Sequence, residues 1–392
     1  MPIPIPGGAG VALSAERIHV EFDIGVDRGF ALAFLTMATP LEVNAIRGRR
    51  QPTVAIGVFF ALAVFVAGLL WAKWMPYLAK AVRAQHTHHW SASSILGVGG
   101  VHAGDRPTWH AAITFFHAYV SSIWPALVVA LLISASVQAL LPRRWLPCVF
   151  NRRGPISSGL VGGVASMPSM MCTCCAAPVA VTLRRNGVTA SAAVAYWLGN
   201  PLLNPAVLVF LFFVAPWQWT LTRMLVGLAT VVGAAALVGL VTRAQDGTSP
   251  TAAIAEPGDS VARPLLFVRA LGYLSLILLP EYAILVLLVG AVRGWLLTLG
   301  QPAHHGLLII VLVAIVGTLM VIPTAGEIPV LQGLALLGVS AGTLGALLIT
   351  LPAVSIPGAA MVARSFGWRA TAVTTAVVMA AGLLGAGVLS VL

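Results

Sequence analysis

The chain has 392 residues, of which 59% are hydrophobic and only 8% charged, and its formal net charge is +11. So few polar side chains cannot cover a soluble globule of this length, which excludes a water-soluble enzyme or binding module and implies an integral membrane protein. The surplus of arginine does not indicate nucleic acid, because the basic residues lie in short segments between apolar runs rather than along one face.

In chain order, residues 1–51 read as a retained cytoplasmic tail. Its short apolar run, Gly29 to Thr39, follows the acidic stretch EFDIGVD instead of a basic leader and has no clear small-residue cleavage site. Residues 52–111 hold a first transmembrane helix, TVAIGVFFALAVFVAGLLWA from Thr53, and a hydrophilic loop. About 20 apolar residues suffice to cross the hydrocarbon core. The loop contains QHTHHW, and His86, His88 and His89 have the spacing to bind a borderline divalent ion. With no acid or cysteine beside them, a solvated loop and no metal are expected. Residues 112–242 and 264–392 are read as two transmembrane repeats, joined by a hydrophilic linker at 243–263 rich in Pro, Gly, Ser and acids.

The duplication is visible without a gap. Laying residues 173–201 on 324–352 pairs Thr173 with Thr324, Pro178 with Pro329, Gly187 with Gly338, Val188 with Val339 and Pro201 with Pro352. Upstream, AYVSSIWPALVVALL and GYLSLILLPEYAILVLL each place a tyrosine before a mid-span proline. The expected fold is therefore all-α, a polytopic membrane protein of about seven to nine transmembrane helices built from two internal repeats with broken or re-entrant motif helices. Duplicated halves with Gly/Pro-interrupted segments in corresponding positions mark a transporter whose site lies between the repeats near the midplane. The breaks are assigned to Pro178, Gly187, Pro201, Pro205, Pro329, Gly338 and Pro352.

If the segment from Ser157 to Asn186 enters and leaves on one side, each half has three crossings and the halves are inverted. With the N-terminus inside, this arrangement places 16 basic residues in the cytoplasm and leaves Lys73, Lys80, Arg83, Arg106, Arg223 and Arg293 outside. Full crossings would divide them 13 to 9, so the positive-inside rule favours the hairpin.

Three of the four cysteines, Cys172, Cys174 and Cys175, cluster in MMCTCCAAPVAVTLRRNG. Pro178 is expected to break the helix there, with a stop near Met171 and a restart after the proline, and a helix N-terminus near Ala176 would help hold a thiolate. Non-helical backbone at this depth survives only beside protein or a water-filled cavity, so the thiols are expected to face one. The second interruption, GNPLLNPAVL, supplies Asn200 and Asn204, and its counterpart TLPAVSIPGA supplies Ser355. Two such breaks facing each other would line a polar substrate site. Of the acids, Glu327 and Glu281 fall within apolar spans. An ionisable group there is a functional candidate by default, and both are assigned to proton coupling, Glu327 first. Cys148 receives no role.

The stretch CTCCAAPVAVTLRRNGVTASAAVAYWLGNPLLNP, Cys172 through Pro205, resembles the signature of the predicted-permease family that includes the trivalent organoarsenical efflux permeases. That signature has a Cys-Ser-Cys-Gly type start, a proline three residues after the glycine, a Gly-Val step and an ending close to Ser-Pro-Leu-Asn-Pro. Thr173 replaces the serine, Cys175 the usual glycine, and Gly199-Asn200 precede Pro201. The weaker second copy and the overall layout extend the likeness over residues 112–392. The resemblance implies a multi-pass permease of the cell (plasma or inner) membrane for a small molecule, with Cys172 and Cys174 carried over to a substrate role.

The expected function is thus a secondary, proton-coupled permease rather than an enzyme, without cofactor or nucleic-acid partner, embedded in lipid and compatible with a homo-oligomer. The alternative is a membrane thiol-disulfide protein using Cys172 and Cys175, which have Cys-x-x-Cys spacing but no second pair to relay electrons. No GxxxxGK[ST] motif is present to support ATP hydrolysis.

Overall fold

The computed structural model describes residues 51–88, 95–141, 145–247, 263–298, 307–336 and 338–392, and the regular structure among them is helical throughout. Helix α1, Gln51–Leu69, passes through a five-residue π-helical turn, Leu70–Trp74, into α2, Met75–Thr87. Pro76 lies just beyond that turn. Its ring crowds the carbonyl four residues back, and the wider π turn relieves this without ending the rod.

The first half then comprises α3, Trp109–Leu140, a short α4, Trp145–Phe150, and α5, Pro155–Ser166, with a 3-10 turn to Ser169. It continues with α6, Thr173–Arg185, α7, Ala190–Leu202, α8, Pro205–Val214, and α9, Trp217–Gly247. The second half runs through α10, Arg263–Thr298, α11, Leu307–Leu319, α12, Glu327–Leu336, α13, Ala341–Ala353, α14, Ile356–Phe366, and α15, Trp368–Val391. The linker expected at 243–263 lies outside the described residues except where it continues α9 and begins α10.

The sequence offset that aligned the motifs also aligns the helix starts. Ala190, Pro205 and Trp217 correspond to Ala341, Ile356 and Trp368. The caps repeat too: Thr189 and Ser340 cap α7 and α13 with their hydroxyls, and Asn204 and Ser355 cap α8 and α14. Gly187 and Gly338 both hold positive φ, +87° and +79°, a conformation that a side chain would strain.

Among the described residues six helices are long and apolar enough to cross a membrane, and the α13–α14 pair, bent by 53°, makes a seventh if counted as one span. This is the lower end of the expected range. Lipid-facing character follows from the surface, where Phe59, Leu78, Trp109, Phe212, Leu276 and Leu384 are exposed. Helix α3 packs on α10, α9 on α15, and α6 on α14.

Helices α5 and α6, with 12 and 13 residues, reach only about 20 Å each, short of a core about 30 Å thick. They form a hairpin whose two open ends meet. Asn151, before α5, donates to the Gly187 carbonyl after α6 at 2.9 Å and accepts from the Thr189 amide at 2.8 Å. Helices α11 and α12 occupy the same place in the second half. With three crossings and one hairpin per half, reporters fused at Gln245 and Leu392 are expected on opposite sides of the membrane, Gln245 in the cytoplasm. The same side for both would rule out the inverted arrangement.

Three expectations are corrected. Pro178 does not break or start a helix: α6 begins five residues earlier, at Thr173, and carries the proline inside, as α7 carries Pro201, α12 Pro329 and α13 Pro352, the helices parting instead at Leu203 and Asn204 and at Val354 and Ser355. A proline in the second turn is tolerated because the carbonyl it would clash with lies at the helix entrance, where the chain has just turned. Arg223, Arg293 and Lys73, assigned to the outside, are buried within the helices, and Lys80 and Arg83 lie on α2, which leaves only Arg106 of the six in a segment between helices. His86 and His88 end α2, the His88 ring lying 3.2 Å from the Phe213 carbonyl, and His89 lies outside the described residues.

Candidate functional site

The first hairpin turns deep in the protein, and its turn is built by side chains of α7. Asn200 Oδ1 accepts from the Met171 amide at 3.2 Å and from the Ser169 hydroxyl, while its Nδ2 donates to the Tyr196 carbonyl at 2.8 Å. Trp197 Nε1 donates to the Thr173 carbonyl at 2.9 Å. Met170, with φ +47°, makes the turn that lets α6 start. Side chains of α7 thus take up the Met171 amide and the Thr173 carbonyl of this break.

The cysteines occupy the first turn of α6. Cys172 is the N-cap residue, with no side-chain cap bond of its own, and Cys174 and Cys175 follow in the first turn. All three are buried, and their sulfurs lie within 4.8 Å of one another, Cys172 and Cys174 at 3.1 Å. None is in a disulfide. Free amides and the helix dipole at this end favour negative charge, so the position suits thiolates. With sulfur-to-ion bonds of about 2.3 Å, sulfurs this close can share one soft centre. Among the described residues no other group of three His, Cys, Asp or Glu is gathered in this way.

Aromatic and hydroxyl groups close the cluster. Tyr119 of α3 meets Cys174 at 3.1 Å, and its ring lies 6.2 Å from that of Tyr282 on α10. The Tyr282 hydroxyl and the Thr173 hydroxyl are buried without a hydrogen-bond partner. Asn204 spends its Oδ1 on the Ala206 and Val207 amides and leaves Nδ2 unpartnered, whereas Ser355 accepts from the Gly358 amide at 3.4 Å. Gly358 in turn lies against Trp197 and the Thr173 carbonyl, so the second-half break abuts the first-half cysteines.

Glu327, at the first turn of α12, is 2% exposed and pairs at 2.8 Å with Arg223 of α9, which is fully buried. Arg223 also donates to the Pro201 carbonyl at 2.7 Å and reaches the Leu348 carbonyl at 3.5 Å. Both carbonyls lack an ordinary helical donor, because Pro205 and Pro352 stand four residues on and have no N–H. One guanidinium thus satisfies a break in each half and an acid between them. Glu281 pairs at 2.9 Å with Arg364 of α14, nearer the surface.

Sequence reasoning gathered the cysteines but missed Arg223 and Lys73, because only intramembrane acids were treated as candidates. The rule that marks a charge inside an apolar span applies equally to the arginine in WTLTRMLVGL and the lysine in LLWAKWMP. Tyr119 was noted only as a landmark of the repeat.

Two comparisons place the chain among known proteins. Residues 108–391 match a family described as predicted permease. The chain is also 37% identical over 325 residues to the UPF0718 protein YraQ of Escherichia coli (strain K12), covering 83% of this chain and 92% of that protein. No solved structure matches. The match takes in both halves, both hairpins and every residue of the thiol cluster, and the chain belongs to the predicted-permease family, a multi-pass membrane transporter of small molecules rather than an enzyme.

Proposed function

We propose that this permease is a secondary transporter of small thiol-reactive solutes, trivalent metalloids or organoarsenicals, which it extrudes across the plasma or inner membrane in exchange for protons. The observation that carries the reading is the set of three free sulfurs within 4.8 Å at a helix N-terminus, buried where the two halves meet. A soft electrophile exchanges thiolates readily, so a trithiol site can take it from one side and release it to the other. Asn204 Nδ2 and the Thr173 and Tyr282 hydroxyls are the unspent polar groups that would orient the rest of the solute.

Glu327 is assigned to proton coupling. Its pairing with Arg223 gives the proton a structural consequence: protonation removes the charge that holds the second hairpin to α9. Resistance of cells to trivalent phenyl- and methylarsenicals, but not to small inert anions, is the first expected result. In vesicles with an imposed pH gradient, Glu327→Gln should abolish gradient-driven net transport while solute exchange persists. Gradient-driven transport at the wild-type rate per folded protein would assign Glu327 to structure and leave Glu281 as the acid to test.

A further inference from the structure

The helix that precedes the family-matched region brings a cation to the two hairpin turns, one of which carries the thiols. Lys73 lies in the π-helical turn and is 6% exposed. Its Nζ donates to the Tyr77 hydroxyl at 2.9 Å and to the Thr324 hydroxyl at 3.1 Å. An ammonium has three N–H groups, so one donor is unspent. Among the described residues no carboxylate lies within ion-pair distance of it. The residue after it, Trp74, bonds the turn that leads into Cys172.

The neighbouring Trp74 fixes where this charge sits. Its Nε1 donates to the Pro168 carbonyl at 2.8 Å, in the turn of the first hairpin, while Thr324 lies in the turn of the second. The π-helical turn therefore touches both hairpin turns and sets the ammonium between them. A buried cation without a counter-charge is costly, and neither tyrosine nor threonine supplies one. The charge and its spare donor thus lie between the two hairpin turns, the first of which carries the cysteines.

Resting on the thiol-site reading above, we propose that Lys73 is the anion-recognition residue of the transport site. The preferred solutes then combine a soft thiol-reactive centre, held by the cysteines, with an anionic substituent, held by the ammonium. The leading helix α1–α2 is part of the binding site rather than an appendage to the duplicated core.

The test uses the full chain in lipid nanodiscs in a Cys148→Ser background, since Cys148 is exposed and would react on its own. Two probes share a soft atom and differ in charge: 4-(hydroxymercuri)benzoate, an anion, and phenylmercury, which lacks the carboxylate. Their affinities are read by competition with a free monothiol. Wild-type protein should prefer the anionic probe by about tenfold or more, the usual contribution of one charge-assisted hydrogen bond. Lys73→Arg should keep most of that ratio. Lys73→Met, and Lys73→Gln if the first does not fold, should bring it close to one while leaving phenylmercury binding unchanged. No preference in the wild-type protein overturns the proposal whatever the variants do. Equal weakening of both probes in Lys73→Met also overturns it, by assigning the ammonium to the thiolates, and so does an unchanged ratio, by assigning it to packing. Retention of both probes by Cys172→Ser/Cys174→Ser/Cys175→Ser would instead sink the thiol reading itself.

Discussion

Replacing Cys172 and Cys174 together with serine should reduce solute transport by more than about 100-fold while leaving the protein folded in the membrane. Even partners one shell removed from a soft-ion site contribute about 10–100-fold to affinity, and these sulfurs would be the ligands themselves. The fold should survive for a reason specific to this geometry. Cys172 stands at the N-cap of α6 without making a cap bond, and serine is among the better N-cap residues, worth about 1 kcal/mol over a residue that cannot cap. At position 174 the serine hydroxyl inherits the Tyr119 hydroxyl as a partner, so no buried polar group is orphaned. Transport and membrane-extracted folded yield are measured on the same preparations. Wild-type transport per folded molecule would exclude these thiols from the solute path.

The repeat and its punctuation were legible in the sequence because they depend on residues with narrow backbone roles. Gly187 and Gly338 must allow positive φ, Pro201 and Pro352 must interrupt hydrogen bonding, and such positions survive duplication as matched letters. The thiol cluster was legible for the same local reason, since three cysteines in four residues meet in any turn. What the linear chain hides is pairing across distance. Lys73 and Thr324 lie 251 positions apart, and Arg223 reaches Leu348 across 125. Positive-inside counting treats each basic residue as a loop residue, so it misplaces those whose charge is spent inside. The place of Pro178 also depended on tertiary context. The chain reverses at Met170, stabilised by Asn200, and α6 can therefore start before the proline rather than after it.

Arg223→Met should destabilise the protein by about 3–5 kcal/mol, because it leaves Glu327 as a buried charge without its partner. It also strips donors from the Pro201 and Leu348 carbonyls, which the prolines four residues on leave without a helical partner. Glu327→Gln should cost less, since the guanidinium keeps both carbonyls and gains a neutral acceptor. The double variant Arg223→Met/Glu327→Gln removes the orphaned charge and should recover more than about 1 kcal/mol of what the two single losses sum to, the coupling expected of groups in direct contact. Unfolding free energies in a denaturing-detergent titration of the four proteins give this coupling, and strict additivity would mean that the pair does not form in the membrane. The ordering follows from what each side chain holds. Glu327 has one strong partner, whereas Arg223 joins α7 of the first half to α12 and α13 of the second. A double variant that folds but exchanges solute without regard to the pH gradient would tie the coupling proposed for Glu327 to this pair, beyond the fastening of the broken helices that Arg223 supplies.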